Sequence, residues 1–262
     1  LKRLHNQPGE RDEHAATLGA LHARLAEVHE KLGRWDEAYR NLLELDRQRP
    51  GVLKTLLALG ENRIAARKWR DAVSHLEKLA EHPDAAREPA AVAAGLVHAA
   101  QAEQKLKRPE RADELYKAAL RFDPDHVGAL RAQAEIAAGA GDKARAAELL
   151  GRIAPKVKNT GERAAVLEQQ GDLLAALDRR DEALAAYEAA VALHPKPTEA
   201  QLPLLGKTLG LERQAGRKVA ASQTSALIIA LEQDPKERAE LRREAAAELL
   251  EDGEVQVGHG HL

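Results

Sequence analysis

The chain has 262 residues, with 40 Lys and Arg against 42 Asp and Glu, 2% aromatic residues, and neither cysteine nor methionine. Near-neutral charge gives no push toward nucleic acid or anionic membranes, and so few aromatics exclude the stacking platforms of single-strand binders. The lack of cysteine excludes disulfides, thiolate metal sites and thiol nucleophiles together, and no apolar run reaches the roughly 18 residues that would span a bilayer.

No signal peptide is visible. Without an initiator methionine the chain is expected to be a fragment or a processed form. Residues 1–11 are polar, broken by Pro8-Gly9, and predict a flexible lead-in. Leu18, Leu21, Leu25, Val28 and Leu32 then recur at helical spacing and make one apolar stripe. Gly33 ends this helix, and a partner helix begins near Asp36 and stops at Pro50. So short a turn makes the two helices antiparallel.

A second pair is predicted over 51–84, with Leu53, Leu56, Leu59 and Gly60 on its first helix and Ala72, Val73, Leu76 and Leu79 on its second. An insertion, Ala85–Pro89, separates it from a third pair over 91–123. Asp123-Pro124 reads as an N-cap and first-turn proline opening a fourth pair over 124–157. A fifth pair covers 162–195. The sixth, 198–233, is weakened by Gly206 and Gly210, each costing about 1 kcal/mol relative to Ala. Asp234-Pro235-Lys236-Glu237 opens a capping helix over 235–251, and 252–262 is a tail without helical pattern.

The second helices carry a recurring alanine at Ala38, Ala72, Ala112, Ala146, Ala183 and Ala221, spaced 34, 40, 34, 37 and 38 residues apart. Fuller sets follow it in Ala38-Leu42-Leu45-Pro50, Ala112-Tyr116-Ala119-Pro124 and Ala183-Tyr187-Ala190-Pro195. A small residue lets two helices approach, and a large apolar one fills the gap to the next pair. A period of this length with these residues resembles the tetratricopeptide repeat family over about residues 12–251.

The resemblance implies an all-α, right-handed superhelical solenoid of antiparallel helix pairs, about six with a capping helix, whose first helices line a concave face. In that family the face commonly holds an extended peptide or a partner helix. Carried across residue by residue, the groove positions are Glu27, Glu61, Gln101, Glu135 and Asp172, with His98, Arg131 and Glu168 beside them. Acids stand where a carboxylate-clamp subset of the family has Lys, Asn and Arg, so capture of a partner's C-terminus is not expected. The acidic column instead favours a basic or amide-rich protein or peptide. The alternative is a solvated helix face whose acids pair with neighbouring Arg and Lys.

No catalytic residue, metal ligand or cofactor is expected. His22 and His29 lie two helical turns, about 10 Å, apart, too far to share one zinc ion with ligands at about 2.1 Å. His259-Gly-His261 is a weak transition-metal motif in the tail. Asp36-Glu37 and Asp181-Glu182 open second helices, where negative charge complements the helix dipole. No phosphate loop or nucleophile motif accompanies them. The function expected is therefore a non-catalytic interaction scaffold, with no nucleic acid and no direct membrane span. The alternative is a regulatory or docking arm of a larger enzyme. Its Ala-, Arg- and Leu-rich composition suggests a bacterial adaptor of envelope or secretion assembly, in cytoplasm or periplasm.

Overall fold

The structure, a computed structural model, describes residues 8–259, and among them every regular element is helical. The helices are α1 (Pro8–Lys31), α2 (Trp35–Gln48), α3 (Leu53–Ala65), α4 (Trp69–Leu76), α5 (Pro89–Lys105), α6 (Pro109–Phe122) and α7 (Val127–Gly139). They continue as α8 (Lys143–Ile153), α9 (Thr160–Ala175), α10 (Arg180–Ala192), α11 (Leu202–Gln214), α12 (Lys218–Leu231) and α13 (Pro235–His259). The order is six successive helix–turn–helix segments and a final helix. The described residues form two compact units that divide within α7, between Gln133 and Ala134. In the first unit α1 packs on α2, α2 on α3, α3 on α4, α4 on α5 and α5 on α6; in the second α8 packs on α9 and so on to α13.

Each inner turn is made the same way. One residue takes positive φ: Gly33, Arg67, Lys107, Gly141, Asp178 and Gly216. The next amide then donates back to the carbonyl five residues earlier, as Arg34 does to His29, Lys68 to Arg63 and Arg179 to Leu174. This left-handed cap satisfies carbonyls that the helix end leaves bare. It reverses the chain within three residues, which sets each pair antiparallel. At Arg67, Lys107 and Asp178 the turn tolerates a Cβ where glycine would be unstrained.

Helix pairs close on small residues. A Cβ on Gly60 would lie 2.3 Å from Cγ and Cδ2 of Leu76, and one on Gly171 would lie 2.4 Å from Cε1 of Tyr187. Ala26, Ala100 and Ala134 hold the matching place in other first helices, and all are buried. The first unit also contains a polar seam. Arg63, 3% exposed, donates to Asp36 Oδ1 (2.9 Å), the Trp35 carbonyl (2.8 Å) and Asn62 Oδ1 (2.6 Å), and lies 3.9 Å over the Tyr39 ring. Its hydrogen bond, helped by its charge, holds the Asp36 carboxyl below the ordinary value of 3.8.

Beyond this seam the Tyr39 hydroxyl lies 2.8 Å from His75 Nε2, with the rings edge to face at 5.8 Å. Burial lowers the His75 pKa from its ordinary 6.5; Lys78 and Arg63 act in the same direction, while Asp46 and Asp71 oppose them. The fold therefore favours the neutral ring, and below about pH 6.5 the unfolded chain binds the proton first. This contribution is present above the ordinary histidine pKa and is lost as pH falls through the lowered one. Urea titrations at about pH 7 and pH 5.5 should show His75→Gln losing less stability on acidification than the parent chain. An identical loss in both would exclude His75 as a source of acid sensitivity.

Four features differ from the sequence-based expectations. The lead-in was expected through residue 11, yet α1 already begins at Pro8, a residue whose fixed φ and missing N–H suit a first helical position. Asp123-Pro124 ends α6 in a turn instead of opening α7; the cap of α7 is His126, whose Nδ1 accepts from the Ala129 amide at 3.3 Å. The backbone of α13 runs to His259, past the expected end at residue 251 and through Gly253, because an interior glycine weakens a helix without stopping it. The His259–His261 pair lies outside the described side chains. Finally, the Leu18–Leu32 stripe of α1 is exposed, while Ala26 is the α1 side chain buried against Leu42 and Leu59. A heptad stripe and a packing face on one helix are separate surfaces here.

Candidate functional site

In the first unit, α1 and α3 present short side chains to the same space: Ala23 and Ala26 from one, Ala58 and Ala65 from the other. They leave an open cavity of about 420 Å³ whose rim carries Glu27, Glu30 and Glu61 against a single Lys54. Glu30 is half-buried, and its Oε1 accepts from Asn62 Nδ2 at 2.9 Å. Glu27 and Glu61 are exposed. Glu27 has no ion-pair partner among the described residues. His98 Nδ1 comes within 4.0 Å of Glu61 Oε1, too long for a hydrogen bond, and this buried nitrogen has no other partner. The cavity thus has three carboxylates and one ammonium on a small, apolar floor.

The second unit treats its acids differently. Lys207 on α11 places Nζ 2.8 Å from Glu168 Oε1 and 2.7 Å from Asp172 Oδ1, and the Tyr187 hydroxyl donates to Asp172 Oδ1 at 2.6 Å. Burial disfavours the Lys207 ammonium, but its bonds to Asp172 and Glu168 outweigh this and raise its pKa. Burial and the neighbouring Asp172 likewise push the Tyr187 hydroxyl up.

The structure therefore brings Glu27 to Glu61, Glu61 to His98, and Glu168 to Asp172. Gln101 and Glu135 are exposed and Arg131 is half-buried; all three lie outside the cavity lining. Reading the sequence alone missed Lys207, Glu30 and Asn62. A signal for Lys207 existed in the repeat register. The groove acid follows the small crossing residue by one position, and it meets the residue two positions before the corresponding crossing of the next repeat. Asp172 meets Lys207 and Glu61 meets His98; Glu27 shares its cavity with Ala58, which has no charge to offer.

Among the described residues no three His, Asp or Glu side chains are grouped so as to hold a metal ion, and no helix is long and apolar enough to cross a membrane.

Profiles of the tetratricopeptide repeat match residues 93–126 and 164–197, and a further profile of the same repeat matches residues 20–53. These segments coincide with the pairs α5/α6, α9/α10 and α1/α2. The chain therefore carries tetratricopeptide repeats in these segments. No curated protein matches its sequence. Among solved structures it is similar to a crystal structure of MamA, 17% identical with a TM-score of 0.53, over 69% of this chain and 94% of that one. A second MamA structure is 17% identical with a TM-score of 0.51, over 66% and 95%. A tetratricopeptide repeat protein from Parabacteroides merdae is 15% identical with a TM-score of 0.52, over 90% and 88%. At such identities the likeness is one of fold. Tetratricopeptide repeats generally serve as protein–protein interaction scaffolds and are typically non-catalytic.

Proposed function

We propose that this chain is a non-catalytic scaffold that holds an extended basic segment of a partner protein in the first-unit groove. A Lys or Arg side chain of that segment would insert between Glu27 and Glu61. The observation that carries this reading is the pair of exposed carboxylates on one small-floored cavity, neither of them ion-paired to a Lys or Arg among the described residues. Low-lying apolar walls strengthen such a field and set the sign of the partner. The same sign disfavours polyanions, whose binding depends on clustered Lys and Arg. In the second unit Glu168 and Asp172 share the Lys207 ammonium, which offsets one of their two charges and occupies an oxygen of each, so they are less available to a partner. A bacterial setting is shared with the Parabacteroides merdae protein; a role in envelope or secretion assembly rests on composition alone.

The test is fluorescence anisotropy with a Lys/Arg-rich peptide and a Glu-rich peptide of equal length. The basic peptide should bind with an affinity that falls as salt rises. Glu27→Lys/Glu61→Lys should weaken it at least about a hundredfold, roughly 1.4 kcal/mol for each tenfold. Adding Glu135→Lys tests an exposed acid outside this cavity, and Asp172→Asn should leave binding within about twofold. Unchanged binding by the Glu27/Glu61/Glu135 triple variant would refute the reading.

A further inference from the structure

The outer face of α1 is an apolar strip that no described element covers. Leu18, Leu21, Leu25, Val28 and Leu32 are between 38% and 61% exposed. Their spacing alternates three and four residues, the seam period of a coiled coil and not that of a single buried helix face. On the same helix Ala26 and Gly19 face α2, and Glu27 and Glu30 line the groove. The strip is therefore a third, separate surface.

One of its borders carries positive charge. Arg24 and Lys31 stand seven residues apart along the solvent edge, both exposed and without an ion-pair partner among the described residues. The opposite border is formed by His22, whose Nδ1 lies 2.9 Å from Asn41 Oδ1, and by His29. Behind His22 on α2, Glu44 is already paired with Arg47 at 2.6 Å.

We propose that this strip docks an amphipathic helix of a partner protein whose apolar seam is flanked by carboxylates. Rim residues of a helix pair choose partners by charge, and here the rim offers two uncompensated cations two turns apart. A second copy of this chain is the wrong occupant. Parallel α1 helices would set Arg24 and Lys31 against histidines, and antiparallel ones would set cations against cations. A lipid surface fits less well, since membrane-seated helices carry aromatic residues beside a Lys/Arg-rich polar face. Between Ala16 and Lys31 α1 has no aromatic Phe, Tyr or Trp, and it has Glu27 and Glu30 on its polar side.

The probe is a synthetic helical peptide of about three heptads with Leu at the seam and Glu on both flanks, its control the same peptide with Lys flanks. Measured by fluorescence anisotropy against the full chain, the Glu-flanked peptide should bind at least about tenfold tighter than the control. Leu25→Gln/Val28→Gln should weaken it by about tenfold or more, with an unchanged thermal melt because both sites are exposed. Arg24→Glu/Lys31→Glu should reverse the preference between the two peptides. Glu27→Lys/Glu61→Lys should leave it intact, which separates this surface from the groove. Equal binding of the two peptides would overturn the proposal, as would binding indifferent to Leu25 and Val28. So would Leu25-dependent self-association by sedimentation, or Leu25-dependent binding to phosphatidylcholine vesicles with about 30 mol% phosphatidylserine.

Discussion

Arg63→Ala is expected to destabilise the first unit by about 3 kcal/mol, the largest effect of any single substitution considered. The guanidinium is 3% exposed and bridges three partners: the Asp36 carboxylate at 2.9 Å, the Trp35 carbonyl at 2.8 Å and Asn62 Oδ1 at 2.6 Å. Trp35 and Asp36 open α2, whereas Arg63 stands near the end of α3, so the contact joins consecutive repeats. Truncation leaves the Asn62 oxygen, itself buried, without its donor and opens space beneath the Tyr39 ring. Asp36 is largely exposed and returns to water at little cost, which is why the loss stays below that for stranding a buried charge. Arg63→Lys should recover about half, because an ammonium cannot reach carboxylate, carbonyl and amide oxygen as a planar fork does. Chemical denaturation would check the size, and hydrogen exchange its place: protection should fall first in α2, α3 and α4. A loss under about 1 kcal/mol would mean that the seam is ornamental to stability.

Gly171→Ala and Gly210→Ala should shift stability in opposite directions, although both add one methyl to a helix interior. Helix propensity favours alanine by about 1 kcal/mol at either site. At Gly171 the new Cβ would sit 2.4, 2.6 and 3.0 Å from three atoms of the Tyr187 ring. That ring cannot retreat freely, because its hydroxyl is bonded to Asp172. Overpacking of this kind costs about 1–3 kcal/mol and more when the neighbour is pinned. A net loss of about 2 kcal/mol is expected. At Gly210 nothing lies within 4 Å of the added Cβ, so the propensity gain should appear almost whole. Thermal melts of the two variants against the parent give the signs directly. If Gly171→Ala were neutral, the close approach of α9 and α10 would not depend on the missing side chain.

The sixth repeat shows how the same constraint can be met with the sizes exchanged. By register Leu209 stands where Gly60 and Gly171 stand in their repeats, and Ser225 where Leu76 and Tyr187 stand. Both Leu209 and Ser225 are buried, at 4% and 2% exposure. A pattern that looks for a small residue on the first helix reads this segment as degenerate. Packing asks only that the two volumes together fill the crossing.

Periodicity by itself determined that this chain is all-helical, where its pairs turn, and that it repeats. These follow from local chemistry: the spacing of small and apolar residues, the glycines and prolines at chain reversals, and the absence of any alternating strand pattern. All eight groove candidates lie on first helices of their pairs for the same reason. Which acids remain available was decided only by tertiary contact. Asp172 and Glu61 are equivalent in the repeat, yet one meets Lys207 from the next repeat and the other only His98 at 4.0 Å. The fate of the α1 leucines was decided there too: a helix with two apolar faces can bury one against its own pair, and its sequence does not say which. Local residue order sets a helix and its faces, whereas charge pairing and burial belong to residues that are distant in the chain and meet only once the pairs have stacked.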